Sequence, residues 1–183
     1  KNKIGYVLEL SSFQLDLIQF FNPTISVLLN ITPDHLDRYS NFEEYCRAKM
    51  RALRGDGIKI INIDNEASKE IYEVLTRNGE KKIIATSANK QKNTISCSKD
   101  SIDDKFYDDS SISLPNLPNL PGAHNQENIA ASYAVCRSLG LKSQEIIDQL
   151  ASFTGLKHRM QNVGSSGSIT YYNDSKATNA SSA

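Results

Sequence analysis

The 183-residue chain has no tryptophan, two methionines, three cysteines and no surplus of either charge, its 21 Lys and Arg being balanced by 21 Asp and Glu. Without a surplus of Lys and Arg, bulk electrostatic binding to nucleic acid or to an anionic membrane is excluded. An anionic ligand must be held by a local site. Long apolar runs are also missing: Ile25-Ser26-Val27-Leu28-Leu29 falls far short of the roughly 20 residues that cross a bilayer. Cys46, Cys97 and Cys136 are odd in number and lack the close spacing of a zinc site or a redox pair. That usage fits a reducing compartment and a cytoplasmic protein. With 39% hydrophobic and 23% charged residues the composition is that of an ordinary globular protein, and disorder of the whole chain is excluded. Residues 3–10 read as a buried strand with no secretory leader ahead of it, so the chain is expected to begin in mid-domain.

Apolar runs alternate with helical patterns. Strands are expected over 4–10, 24–31, 58–63 and 82–85, with helices over 12–21, 41–53 and 66–78. Such alternation predicts βαβ units and an α/β fold built on a mostly parallel sheet flanked by helices. Its strands are near-continuous hydrophobic runs, as expected when both faces are covered, and ligands of such sheets sit beyond the C-terminal strand ends. Between 89 and 120 the texture turns polar. Short β-like pieces at 94–97 and 111–114 predict a small antiparallel appendage, and 100–109 reads as a solvated acidic loop. Two helices follow, over about 125–139 and 143–152. Gly155 breaks the pattern, and 161–163 with 168–172 predict a hairpin turning through Gly164-Ser165-Ser166-Gly167.

Five places could carry chemistry. Glu9 ends an apolar run, where a carboxylate is costly unless paired or bound to a cation; a strand-end Glu facing water is the simpler alternative. Ser11 and Ser12 add hydroxyls beside it. In Asn30-Ile31-Thr32-Pro33-Asp34-His35-Leu36-Asp37-Arg38, carboxylate and imidazole behind a parallel strand suit divalent cations, although an Asp-His pair also serves in capping loops. Asn41 and Glu44 stand at capping-box spacing, and Phe42, Tyr45, Cys46, Met50 and Leu53 form an apolar stripe. Lys49, seven residues from Phe42, lies about 20° from it around the helix, inside that stripe. It is either a snorkelling side chain or a lysine whose amine is deprotonated or modified in a site. Gly122-Ala123-His124-Asn125 opens a helix whose N–H groups suit an anion or a ligand oxygen. Lys157-His158-Arg159 and Asp174-Ser175-Lys176-Ala177-Thr178-Asn179 gather cations, a carboxylate and hydroxyls around one β-unit, and either could be an ordinary turn.

Each signal alone is weak; their order and spelling are specific. Glu9-Leu10-Ser11-Ser12-Phe13-Gln14-Leu15, the segment from Asn30 to Tyr39, Ala48-Lys49, Gly122-Ala123-His124-Asn125, Phe153-Thr154-Gly155-Leu156-Lys157-His158-Arg159 and the segment from Asn173 to Asn179 resemble the Mur ligases, most nearly their D-glutamate-adding branch. The resemblance implies the P-loop NTPase-like central domain of that family over 1–155 and the start of a Rossmann-like C-terminal domain over 156–183. It implies ATP-dependent amide synthesis, in which the carboxylate of UDP-N-acetylmuramoyl-L-alanine is phosphorylated and the amine of D-glutamate attacks the acyl phosphate. By resemblance Glu9 and His35 each serve one of two Mg²⁺ ions. Lys49 matches a lysine carbamylated by CO₂ that helps hold the second ion. Asn125, Arg159 and Asp174 match ATP contacts, Lys176 and Thr178 match contacts at the amino-acid or acyl-phosphate end, and Ser11 matches a nucleotide-sugar contact. The parent is expected to be monomeric and not inserted in a membrane.

No Gly-x-x-x-x-Gly-Lys-[Ser/Thr] phosphate loop occurs in these residues. It is expected upstream, in a longer ligase of which this chain is an inactive central piece. The alternatives are another ligase of the same fold, of diaminopimelate-adding or folylpolyglutamate type, and a non-catalytic nucleotide-binding fragment. The latter has no need of Glu9, His35 and Lys49 together.

Overall fold

The computed structural model describes residues 5–33 and 37–177. Along them run α1 (Ser12–Leu17), β1 (Ile25–Leu28), α2 (Phe42–Met50) continued by a 3-10 turn (Arg51–Leu53), β2 (Ile58–Asn62), α3 (Glu66–Arg77), β3 (Ile83–Ser87), β4 (Thr94–Cys97), β5 (Ser101–Asp104), β6 (Ser110–Ser113), α4 (Ala123–Ser138), α5 (Ser143–Ala151), β7 (Gln161–Ser166) and β8 (Ile169–Asn173). The first six strands form one sheet in the order β1-β2-β3-β4-β5-β6. β1 to β4 are parallel, and β5 and β6 return antiparallel. The α/β fold with a mostly parallel, helix-flanked sheet is therefore present. The antiparallel strands, however, are no separate appendage: β4 pairs with β3 through Ala85↔Thr94 to Ser87↔Ser96 and carries the same sheet onward.

Alternation along the strands gives the sheet two cores. Ile60, Ile84 and Ile95 face Ile129, Ala130, Tyr133 and Ala134 of α4 and the Ile146–Ile147 pair of α5. Ile61 and Ile83 face the other way, toward Tyr45 and Ala48 of α2 and Ile71 of α3. Each large aliphatic side chain so buried is worth about 1.5–3 kcal/mol of transfer free energy.

Two further expectations fail, each for a physical reason, and two elements keep their type with shifted bounds. The strand over 4–10 does not form among the described residues: Tyr6, Val7 and Leu8 are 84, 100 and 66% exposed. An apolar run becomes a strand only where a neighbour's backbone completes its hydrogen bonds, and β1, at the sheet's edge, pairs with β2 alone. The acidic loop over 100–109 contains β5, with Asp103 and Asp104 buried. The Asp104 carboxylate accepts from the Tyr133 hydroxyl at 3.0 Å and from the backbone N–H of Phe106 and Tyr107 at 3.2 and 2.8 Å, which offsets its desolvation. The hairpin turns at Gly167-Ser168, with Ser166 opposite Ile169, while Gly164 (φ 142°) sits within β7 beside a bulge. In addition α1 is shorter than expected, because the chain turns extended at Ile18 (ψ 121°).

Candidate functional site

In α1, Ser11 and Gln14 form a reciprocal capping box: the Gln14 N–H donates to Ser11 Oγ at 3.3 Å, and the Ser11 N–H donates to Gln14 Oε1 at 2.9 Å. Ser11 therefore stands exposed at a helix N-terminus, and Glu9 is exposed two residues before it. In α2, Asn41 Oδ1 accepts from the Glu44 N–H at 2.9 Å, while the Glu44 carboxylate reaches back to the N–H of Ser40 at 2.8 Å, one residue earlier than a capping box requires. The helix so started carries the expected stripe, with Tyr45 and Ala48 buried and Phe42, Cys46, Lys49 and Met50 half-buried.

Aromatic packing joins these two helices. The Phe13 ring stacks on Tyr39 at 6.2 Å, Tyr39 meets Tyr45 at 5.4 Å, and Lys49 Nζ lies 5.6 Å from the centre of the Tyr45 ring. The Tyr39 hydroxyl donates to Asp16 Oδ2 at 2.8 Å, and the Arg51 guanidinium donates to the Ile18 carbonyl at 3.0 Å. Ser11, which caps α1, and Lys49 of α2 thus belong to helices joined through Tyr39. His35 and Thr178 lie outside the described residues.

A second polar group gathers at the C-terminal ends of β2 and β3. The Asn62 amide donates to Glu127 Oε2 on α4 at 2.6 Å. Asp64 accepts from the Ser87 hydroxyl and the Ala88 N–H at 2.5 Å and from the Asn89 amide at 3.1 Å. Burial, with the Asp64 charge as a second cause, pushes the Glu127 carboxyl above its usual range. Asn65 Oδ1 accepts from the Ile31 N–H at 3.2 Å, tying the segment after β1 to the start of α3. The first turns of α4, including Asn125, therefore stand at the sheet end from which 30–33 emerge. The Asn125 amide is used locally, donating to the Pro121 carbonyl at 2.6 Å, which leaves its Oδ1 for a ligand. None of Tyr39, Asp16, Asn62, Asp64 or Glu127 stood among the expected site residues. The readable signal was Asn62, a polar residue directly after Ile60 and Ile61 at the end of β2.

The segments that carry Arg159 and those that carry Asp174 and Lys176 are tied together at the open end of the β7–β8 hairpin. Asp174 Oδ1 accepts from the Met160 N–H and the Lys176 N–H donates to the His158 carbonyl, both at 3.0 Å. His158 and Met160 hold φ of 65° and 41°, left-handed values that non-glycine residues adopt only where their surroundings impose them. β7 and β8 pair with each other and with no strand of the six-stranded sheet.

Among the described residues no three His, Cys, Asp or Glu side chains converge as a metal cage. Mg²⁺ rarely uses one; it is held by one or two carboxylates together with substrate phosphates and water. Glu9, exposed ahead of the Ser11 cap, is a donor of that kind. Lys49 would be a second only with a carboxylate added to its amine.

Residues 2–136 match the model of the Mur ligase middle domain. The chain belongs to the Mur ligase family. Relatives named UDP-N-acetylmuramoylalanine–D-glutamate ligase are 50% identical in Rickettsia prowazekii, over 98% of this chain and 40% of that protein, and 41% identical in Agrobacterium fabrum, over 97% and 38%. The chain thus spans about two fifths of the length of these Mur ligases. Among solved Mur ligase structures, a MurF from Acinetobacter baumannii shares the fold at TM-score 0.62 and 22% identity, over 89% of this chain and 35% of that one. UDP-N-acetylmuramate-alanine ligase MurC from Thermotoga maritima does so at 0.58 and 20%, over 84% and 33%. No helix among the described residues is long and apolar enough to cross a membrane.

Proposed function

We propose that this chain is the ATP-binding central part, over 1–155, and the beginning of the C-terminal domain, over 156–183, of a cytoplasmic, monomeric ligase. That ligase joins D-glutamate to UDP-N-acetylmuramoyl-L-alanine in peptidoglycan precursor synthesis. The observation that carries the reading is 50% identity across 98% of the chain to a ligase of that name. Independent pairing of β7 with β8 supports a boundary near 155.

The reaction transfers the γ-phosphoryl group of ATP to the substrate carboxylate, and the amine of D-glutamate then displaces phosphate, leaving ADP, phosphate and an amide. Such transfers depend on positioning and on neutralising charge more than on covalent chemistry by the protein. Asn125, Arg159 and Asp174 bind the nucleotide. The Arg159 guanidinium suits phosphate oxygens, while Asp174, braced on the Met160 N–H, keeps an oxygen for the ribose. Ser11 holds the nucleotide-sugar substrate. Lys176 and Thr178 hold the amino-acid and acyl-phosphate end, where an ammonium offsets the negative charge. Two Mg²⁺ ions are held by Glu9, by His35 and by Lys49 carrying a carbamate from CO₂; when bound they supply the charge neutralisation that brings two anions together.

The test is phosphate release by the full-length enzyme with ATP, UDP-N-acetylmuramoyl-L-alanine and each candidate amino acid. Turnover is expected with D-glutamate and none with L-lysine or diaminopimelate; the reverse pattern overturns the reading. Lys49→Ala is expected to lower kcat by at least 100-fold, with partial recovery in formate or acetate. Unchanged activity would assign Lys49 to the snorkelling role.

A further inference from the structure

Five side chains from three segments form a continuous row. The Arg38 guanidinium carbon lies 4.5 Å from the centre of the Phe13 ring. Phe13 stacks on Tyr39 with 16° between the planes, Tyr39 meets Tyr45 at a tilt of 53°, and Lys49 Nζ closes the row over Tyr45. Tyr39 is its middle member and is buried. Its ring packs on Phe13 and its hydroxyl bonds Asp16, both on α1, and its ring also meets Tyr45 on α2.

Tyr39 stands 23 residues from Asp16, so its contacts report tertiary placement and not local turn geometry. A lysine side chain has several soft torsions and loses substantial rotamer entropy when held in one place. A ring packed beneath the end of the side chain narrows that freedom by contact, whether the amine is free or carries a carbamate, but only if the ring is itself fixed. The Tyr45 ring is braced on Tyr39, whose own plane is fixed by a charge-assisted bond to the Asp16 carboxylate.

We propose that Tyr39 is a positioning residue for Lys49. Its hydroxyl, anchored on Asp16, holds the Phe13–Tyr39–Tyr45 stack in register and so sets where the Lys49 side chain ends relative to Ser11. This rests on the ligase reading, in which Lys49 belongs to the reacting centre. A functional group must stand within about half an ångström of its working position, and misplacement of about 1 Å costs about 100-fold in rate. A hydroxyl remote from the substrates can therefore govern the rate without touching them.

Tyr39→Phe removes the hydroxyl and keeps the ring. In the full-length enzyme it is expected to lower kcat about tenfold and to raise the Mg²⁺ concentration for half-maximal activity several-fold, with KM for ATP unchanged. Asp16→Asn, which keeps an acceptor oxygen, is expected to retain most of the activity. In a Lys49→Ala background rescued by formate, Tyr39→Phe should cause no further loss, because the residue through which it acts is gone. An equal tenfold loss in both backgrounds overturns the proposal. A second readout needs no turnover: the labelling rate of the Lys49 amine by an acylating reagent, followed by mass spectrometry. Tyr39→Phe should raise that rate at least threefold at Lys49 and leave exposed lysines such as Lys69 unchanged, and an unchanged rate at Lys49 also overturns the proposal. If the unmodified enzyme ligates no D-glutamate, the ligase reading falls while the labelling result still decides the role of Tyr39.

Discussion

Tyr6-Val7-Leu8 and Ile60-Ile61 are similarly apolar stretches of one chain with opposite fates. Val7 is fully exposed, whereas Ile60 and Ile61 are wholly buried. β2 has β1 on one edge, β3 on the other and helices over both faces. The N-terminal stretch has no ladder partner among the described residues. Hydrophobicity marks a segment that gains from burial, and neighbours decide whether burial happens.

Three substitutions sharpen that contrast, the largest effect first. Ile60→Ala opens a cavity between the sheet and α4 and is expected to cost about 2–5 kcal/mol, read by urea denaturation of the chain. Next comes the one charged member of β2. Lys59 is buried and pairs with Glu80 at 2.7 Å. The bond from the Lys59 ammonium, with help from the Lys82 N–H, holds the Glu80 carboxyl below its usual range. A depressed folded-state value means that the pair stabilises the fold above the ordinary carboxylate range and ceases to do so as pH falls through the lowered value. Thermal midpoints should therefore drop on acidification from about pH 4.5, and Glu80→Gln should flatten that drop. Last, Val7→Ala should change stability by less than about 0.5 kcal/mol; a loss comparable to that of Ile60→Ala would mean that the stretch is packed and the contrast false.

Most of the fold could be read because local signals agreed with the global arrangement. Asn41 and Ser143 mark helix starts, Gly155 breaks a pattern, and Ile58 to Ile63 spells a strand covered on both faces. β5 was hidden because Asp100 to Asp109 carries the composition of a solvated loop. Its signal, Ile102 between polar neighbours, acquires meaning only once Tyr133 from α4 reaches Asp104. The Lys49 position was legible as a cation inside an apolar stripe. What holds that cation was not, since Phe13, Tyr39 and Tyr45 come together over separations that no local pattern records. Asn125 read as a ligand contact also serves as a clasp on Pro121, a use visible only in three dimensions.

The two margins of the sheet differ in what they offer to another chain. β6 is spelled Ser110-Ser111-Ile112-Ser113, is four residues long and runs into Leu114 and Pro115. Short, polar and closed by proline, it is a poor template for a foreign strand. At the opposite margin Val27 and Leu29 are partly exposed along and just beyond β1, with ladder positions facing outward. Among the described residues β1 is therefore the margin at which a further strand can add, while the serines of β6 act as gatekeepers for their own side alone.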